Sequence, residues 1–359
     1  MNGSQTRISF GMIVLNGLPF LHYNLLSIYS FAHEIIVVEG ACTASAEVCS
    51  PDGHSNDGTL GVLRKFKEEE DPENKLIIVA AEDEGRPDGF WLEKKEMSQA
   101  YAKRITGDYL WQIDVDEFYQ KKDMQYVVNM LSKGDITAIS FPFYNFWGGT
   151  EYILDGYSDR REDRRVNRIF KWSPGSSYVS HRPPTVQNAD WVDMASINWL
   201  DSRNMKRRGI FMYHYDMILP VQAFRKSRYY SKVEWHQLEG DRVRDWYRDI
   251  FEKLRDPYHI YTIYTHFSWL RKFDNEHPEV VKQMLNEIGH GKFPGIELRR
   301  TNDIESLLND WRYRLGCCWR LWLVVLPQTW LWSLKMRLRS YLIMIGIWGV
   351  IQSLRRKSI

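Results

Sequence analysis

The chain has 359 residues, 44% of them hydrophobic and 26% charged, with 48 basic against 46 acidic side chains. That is enough apolar material for a sizeable α/β core with additions, and no low-complexity tract or internal repeat interrupts it. The net charge of +2 hides a division: nine Lys or Arg and no acid follow Asp310, which leaves the first 310 residues at −7.

Residues 8–15 form an apolar run of strand length, broken by Asn16-Gly17, and Pro19 opens a helical pattern through Leu21, Leu25, Ile28 and Phe31. Residues 34–39 read as a buried strand ending on Glu39. A polar loop, 40–58, leads to a helix with Leu60, Leu63 and Phe66 inward. The third strand is 75–81, the third helix 90–105 and the fourth strand 109–113. Strands alternating with helices predict a parallel sheet with right-handed crossovers. Ligands bind outside the carboxyl ends of such strands, so Asn16, Glu39 and Asp114 are expected along one crevice.

Directly after the fourth strand comes Asp114-Val-Asp116-Glu117-Phe118. Two carboxylates two residues apart on a turn can converge on Mn²⁺ or Mg²⁺, leaving positions open for phosphate oxygens. The alternative is an ordinary solvated turn. Asp116 is expected to bind the metal, and Asp114 the ribose or a metal-bound water.

Taken in order, Ile13-Val-Leu-Asn16, Ile35-Ile-Val-Val-Glu39, Asp52-Gly-His-Ser55-Asn-Asp57-Gly-Thr59 and the aspartate motif resemble glycosyltransferase family 2 over roughly residues 8–145. The resemblance implies an α/β GT-A fold, a mostly parallel twisted sheet with flanking helices. It implies a nucleotide-sugar donor, UDP-linked by preference, and favours inversion over retention at the sugar. Glu39 would meet the base and Asp57 the ribose. An insertion, 40–51, departs from the family pattern.

Downstream, residues 137–143 read as a fifth strand before an aromatic cluster, in which Trp147 is a candidate to stack on a sugar. Core packing is its alternative. Five arginines crowd 159–168, Arg160, Arg161, Arg164, Arg165 and Arg168, as a solvated loop in which one or two could hold phosphate or a charged acceptor. Residues 209–216 form an apolar strand delivering His214, which resembles the late histidine that some GT-A enzymes return to the metal; imidazole suits Mn²⁺, and the alternative is a strand-end histidine bonded to backbone. Lys226, on the helix that follows, could neutralise the leaving phosphate. His181 is a lesser candidate for chemistry, with the shaping of a rigid loop as its alternative. The carboxylate that deprotonates the acceptor falls among Glu151, Asp155, Asp190 and Asp193, with Asp190 chosen for its distance past the metal motif. Cys42, Cys49, Cys317 and Cys318 lack zinc-site spacing and are expected as thiols.

The expected organisation is a catalytic region over 1–220, a helical extension over 221–310, and a basic, Trp-rich tail over 311–359. Six of the fifteen tryptophans lie in that tail. Its apolar stretches, 317–334 and 341–351, are interrupted or short of the ~20 residues of a simple spanning helix. The tail is therefore expected to hold the protein on an anionic membrane surface, on the cytoplasmic face since no leader is evident. The acceptor would be a glycan or a lipid-linked glycan. A packed helical hairpin is the alternative for the tail. Nucleic acid is discounted because the basic residues are interleaved with large aliphatics. Three rival functions are a sugar-phosphate nucleotidylyltransferase, an aspartyl phosphatase and a non-catalytic membrane-docking module. The first should carry a Gly-rich loop where Asn16-Gly-Leu-Pro19 stands, and the second an early Asp-x-Asp-x-Thr.

Overall fold

A computed structural model describes residues 6–160, 166–230, 232, 246–261, 266–331 and 333–335. Arg161, Arg164, Arg165 and the tail segment 336–359 lie outside the described residues. Strands β1 (Ile8–Val14), β2 (Glu34–Glu39), β3 (Leu76–Val79) and β4 (Tyr109–Gln112) pair in parallel in the order β3-β2-β1-β4. Apolar side chains leave both faces of this sheet. In β2, Ile35 and Val37 enter one core, and Ile36 and Val38 the other. Strands covered on both sides read as unbroken apolar runs, which is why these four are plain in the sequence.

Helices α1 (Phe20–Tyr29), α2 (Thr59–Glu69) and α4 (Lys121–Leu131) pack on the first face, and α3 (Lys94–Ala102) on the second. The winding reverses between β1 and β4. A crevice opens at such a reversal, outside the strand ends.

The expected single GT-A sheet is corrected by two separate sheets. Strand β5 (Glu117–Phe118) leaves the first sheet for the second. Strands β6 (Ala138–Ser140), β9 (Asn167–Lys171) and β12 (Trp199–Leu200) extend the first to seven, with β9 antiparallel to both β4 and β6. The second has five strands in the order β14-β8-β7-β13-β5. It adds β7 (Phe143–Trp147), β8 (Tyr152–Gly156), β13 (Met212–Met217) and β14 (Ser268–Lys272). A hairpin of β10 (Ser177–His181) and β11 (Pro184–Gln187) stands apart.

Residues 137–143, expected as one strand, divide between the two sheets at Phe141-Pro142; Pro142 has no N–H to continue a ladder. Short helices α5 (Tyr157–Arg160) and α6 (Ser202–Arg207) follow β8 and β12, and α7 (Pro220–Tyr230) follows β13. The region 221–310, expected as helical, supplies β14 as well as α8 (Glu279–Gly289) and α9 (Asn302–Asn309). A last described helix, α10, begins at Trp311 (Trp311–Arg320).

Candidate metal and nucleotide site

Residues 113–116 carry the chain from β4 in the first sheet to β5 in the second. Strand β13 runs antiparallel to β5 with His214 opposite Glu117, and the Tyr215 N–H donates to the Asp116 carbonyl at 2.9 Å. Side chains two apart on a strand share a face, so His214 and Asp216 both reach Asp116. One ligand atom from each of the three lies within 4.8 Å of the others. His214 Nε2 is 3.5 Å from Asp116 Oδ1 and 3.8 Å from Asp216 Oδ1.

A cation already stands between the acids. Lys226 Nζ, from α7, lies 2.7 Å from Asp116 Oδ2 and 2.5 Å from Asp216 Oδ1, and Gln222 Nε2 donates to Asp116 Oδ2 at 3.0 Å. Both aspartates are 6% exposed. Burial alone would raise their carboxyl pKa values, but Lys226 and His214 hold both below the usual range, Asp116 far below it. Two carboxylates and an imidazole this close fit Mn²⁺ or Mg²⁺, the nitrogen favouring Mn²⁺.

Asp114, expected at the ribose or a metal-bound water, stands outside the Asp116–His214–Asp216 cluster and belongs to a different group. Its Oδ2 accepts from Arg168 Nη2 of β9 at 3.0 Å, and the same guanidinium nitrogen bonds the Glu117 carboxylate. Glu117 is fully buried, and its Oε2 accepts the Asp114 N–H at 3.1 Å. From α1, the buried Asn24 amide donates to the carbonyls of Asp114, Val115 and Glu117 at 3.3, 3.1 and 2.8 Å. The turn that carries Asp116 is thus tied to both a strand of the first sheet and a helix.

A cavity of about 210 Å³ opens at this turn, at the β1–β4 reversal. Asn16, Asp114, Asp116, His181, His214 and Asp216 line it, with four cationic side chains: Lys94, Arg182, Arg225 and Lys226. Lys94 Nζ sits 4.3 Å from the centre of the Tyr229 ring. Burial, reinforced by Arg182, pushes the Lys94 ammonium down to about 8. Burial also pushes His181 down to about 3, so its imidazole is neutral at ordinary pH, with Nδ1 3.0 Å from Ser98 Oγ.

Of the remaining sequence candidates, Asn16 lines the cavity and the others fall behind or outside it. Asn16 has φ +54, a left-handed conformation that Asn tolerates, and its Oδ1 accepts the Asn56 N–H at 2.9 Å. Asp57 fixes the entry to α2, accepting from the Thr59 N–H at 3.0 Å and the Leu18 N–H at 3.1 Å, with Arg225 3.6 Å away. Glu39 is fully buried and accepts from His54 Nδ1 at 2.7 Å and the Ser55 N–H at 2.8 Å. Its carboxylate fastens the 40–58 loop and is not among the cavity-lining groups. That loop also crosses residues 81–93 closely: a Cβ on Gly53, at φ +81, would lie 2.1 Å from the Gly89 carbonyl. Only glycine fits there.

Trp147 is corrected from sugar contact to core. It is 1% exposed, with Phe251 at 5.2 Å between ring centres and Arg299 over it at 5.8 Å. Asp190, expected as the acceptor base, stands on an exposed turn between β11 and β12 and is not among the cavity-lining residues. Asp155 is engaged by Arg160 at 2.6 Å, and Asp193 accepts the Ala195 N–H.

The Glu39–His54 contact gives a pH prediction. Burial pushes the His54 imidazole down, but the bonded Glu39 carboxylate, with Glu82 and Asp52, outweighs this and raises it. A raised folded value means stabilisation present in full below the unfolded value, ~6.5, and lost as pH rises through the folded one. His54→Gln is therefore expected to lower Tm more at pH 6 than at pH 8. Equal losses at both pH values, in thermal melts, would remove this linkage.

The sequence alone does not single out Asp216, Asn24, Gln222 or Lys94, and it marks Arg168 only as one of the arginines crowding 159–168. Two had a signal: Asp216 stands two residues after His214 on one strand, and Asn24 interrupts the apolar face of Leu21, Leu25 and Ile28. The other three converge only through the tertiary fold.

No family model matches the chain, and no curated protein matches it. The resemblance to glycosyltransferase family 2 is therefore not upheld as an assignment. Among solved structures, the chain is similar to S. aureus TarS 1-349, with 12% identity over 46% of this chain and 47% of that one, TM-score 0.32. It is similar to the same protein in complex with UDP-GlcNAc, with 13% identity over 39% and 35%, TM-score 0.30. A third match is glucosyl-3-phosphoglycerate synthase from Mycobacterium tuberculosis in complex with Mn²⁺, UDP and glucosyl-3-phosphoglycerate, with 18% identity over 40% and 44%, TM-score 0.27. The chain spans less than half the length of each, and similarity this slight assigns neither fold nor substrate.

Proposed function

We propose that the protein is a divalent-metal-dependent glycosyltransferase that takes its sugar from a nucleoside diphosphate donor. The observation that carries this reading is the meeting of Asp116, His214 and Asp216 with four cationic side chains around one cavity at the β1–β4 reversal. Breaking the bond between sugar and diphosphate builds negative charge on the leaving oxygen, and cations aimed at that charge lower the barrier. Asp116, His214 and Asp216 would hold the metal, which when bound polarises the leaving phosphate as a Lewis acid. Lys226 and Arg225, one turn of α7, would stand beside the diphosphate, with Lys94 and Arg182 adding charge from α3 and the hairpin. Asn16 and Gly40, at the ends of β1 and β2, would face the nucleoside, with Glu39 and Asp57 shaping that wall from behind. The acceptor is proposed to be a glycan or a lipid-linked glycan.

Incubation with a panel of nucleotide sugars and Mn²⁺ tests this. Nucleoside diphosphate should be released, and chelator should stop the release. Pyrophosphate release from a nucleoside triphosphate and a sugar phosphate would instead make the protein a nucleotidylyltransferase. Failure to bind any nucleotide with Mn²⁺ in calorimetry would remove both readings.

A further inference from the structure

Helix α10 continues past Arg320 through a π turn, Leu321–Val325, and on in helical form to Leu331. One side of it is fastened to the body. Tyr313 is 4% exposed, its hydroxyl accepting the Leu270 N–H of β14 at 2.9 Å, and Val325 is fully buried. The Arg320 guanidinium lies 3.5 Å over the Tyr258 ring. The other side is apolar and bare: Trp311, Trp319, Trp322 and Trp330 are 55–67% exposed.

The π turn keeps this bare face continuous. In a straight α-helix, Leu331 would stand about five turns beyond Tyr313 and share its buried side. A π turn absorbs one extra residue, and Leu331 is instead 57% exposed. Apolar patches of this extent are rare on soluble monomers and mark interaction surfaces.

Charge selects the occupant. Arg312 and Arg314 are exposed on this helix, Lys335 is exposed shortly after it, and no acidic residue follows Asp310. Tryptophan with flanking basic residues suits the headgroup layer of a bilayer. Among the described residues, no helix is both long and apolar enough to cross a membrane. We propose that this face docks on the surface of an anionic lipid bilayer, with the helix lying in the headgroup plane. The inference rests on exposure and charge, independently of the transferase reading.

Flotation of the full-length protein with vesicles of phosphatidylcholine, alone or mixed with phosphatidylglycerol, tests it. The protein should float with the mixed vesicles and far less with phosphatidylcholine alone. A combined Trp319→Ser, Trp322→Ser, Trp330→Ser variant should bind the mixed vesicles at least ~10-fold more weakly. Its Tm and its Mn²⁺-dependent nucleotide binding should be unchanged, which separates this result from any failure of the proposed activity. The proposal is overturned if wild type stays with the unbound fraction, or if the variant floats as wild type does. It is also overturned if the variant loses several degrees of Tm, because the face would then be covered by residues 336–359 or by a second copy.

Discussion

Asp216→Asn is expected to abolish Mn²⁺ binding and to lower sugar transfer by ~10²-fold or more, the scale of losing one charge-stabilising group at a reacting centre. The substitution keeps the size of the side chain and removes one of the two charges that hold a cation between them. Lys226 would still have Asp116 Oδ2 at 2.7 Å, so no buried cation is left without a partner. The fold should therefore survive with a small change in Tm. Manganese binding, read by electron paramagnetic resonance, gives an answer that does not depend on knowing the donor or acceptor. Wild-type Mn²⁺ affinity in Asp216→Asn would show that Asp216 holds Lys226 in place and is not a ligand. Asp116→Asn in the same assay should behave alike, since each residue offers one oxygen to the same point.

The part of this site that the sequence makes legible follows from strand burial. Asn16 and Asp114 end long apolar runs, and in a parallel sheet the ends of neighbouring strands must lie side by side. Glu39 ends one too, yet it turns inward to His54, because the 40–58 loop folds back over it and supplies the Ser55 N–H. A loop that returns on its own strand leaves no periodic signal. The second sheet is hidden for a related reason. Strand β5 has two residues and, among the described residues, pairs only with β13, which lies far later in the chain. That pairing, not the spacing of Asp114 and Asp116, decides which acids meet. It brings Asp216 to Asp116 and leaves Asp114 with Arg168. Trp147 misled for the opposite reason: an aromatic run before two glycines looks like a loop beside a sugar, but as β7 it is an interior strand of the second sheet.

Arg168→Leu is expected to cost about 3–5 kcal/mol of stability, the range for removing one partner of a buried ion pair. Arg168 has a side chain only 7% exposed, and it is the cation shared by Asp114 and the fully buried Glu117. Without it, Glu117 keeps the Asp114 N–H as a donor but loses its ion-pair partner, so its carboxyl, already raised to about 7 by burial, must either remain ionised beside Asp114 or take up a proton. Asp114, with a side chain 34% exposed, can still reach water. The two acids are thus unequal, and the loss should be traceable to Glu117. Adding Glu117→Leu to Arg168→Leu should restore most of the stability, because replacing both members of a buried pair by apolar groups is often neutral. Denaturant unfolding of the two single variants and the double variant closes the cycle. A double variant no more stable than Arg168→Leu would locate the cost in β9 packing instead. The same cycle bears on the site, since Arg168, Glu117 and Asn24 together fix the turn that carries Asp116. A stable double variant that has lost Mn²⁺ affinity would mean that the ion pair serves to hold this turn in place, its contribution to stability being incidental.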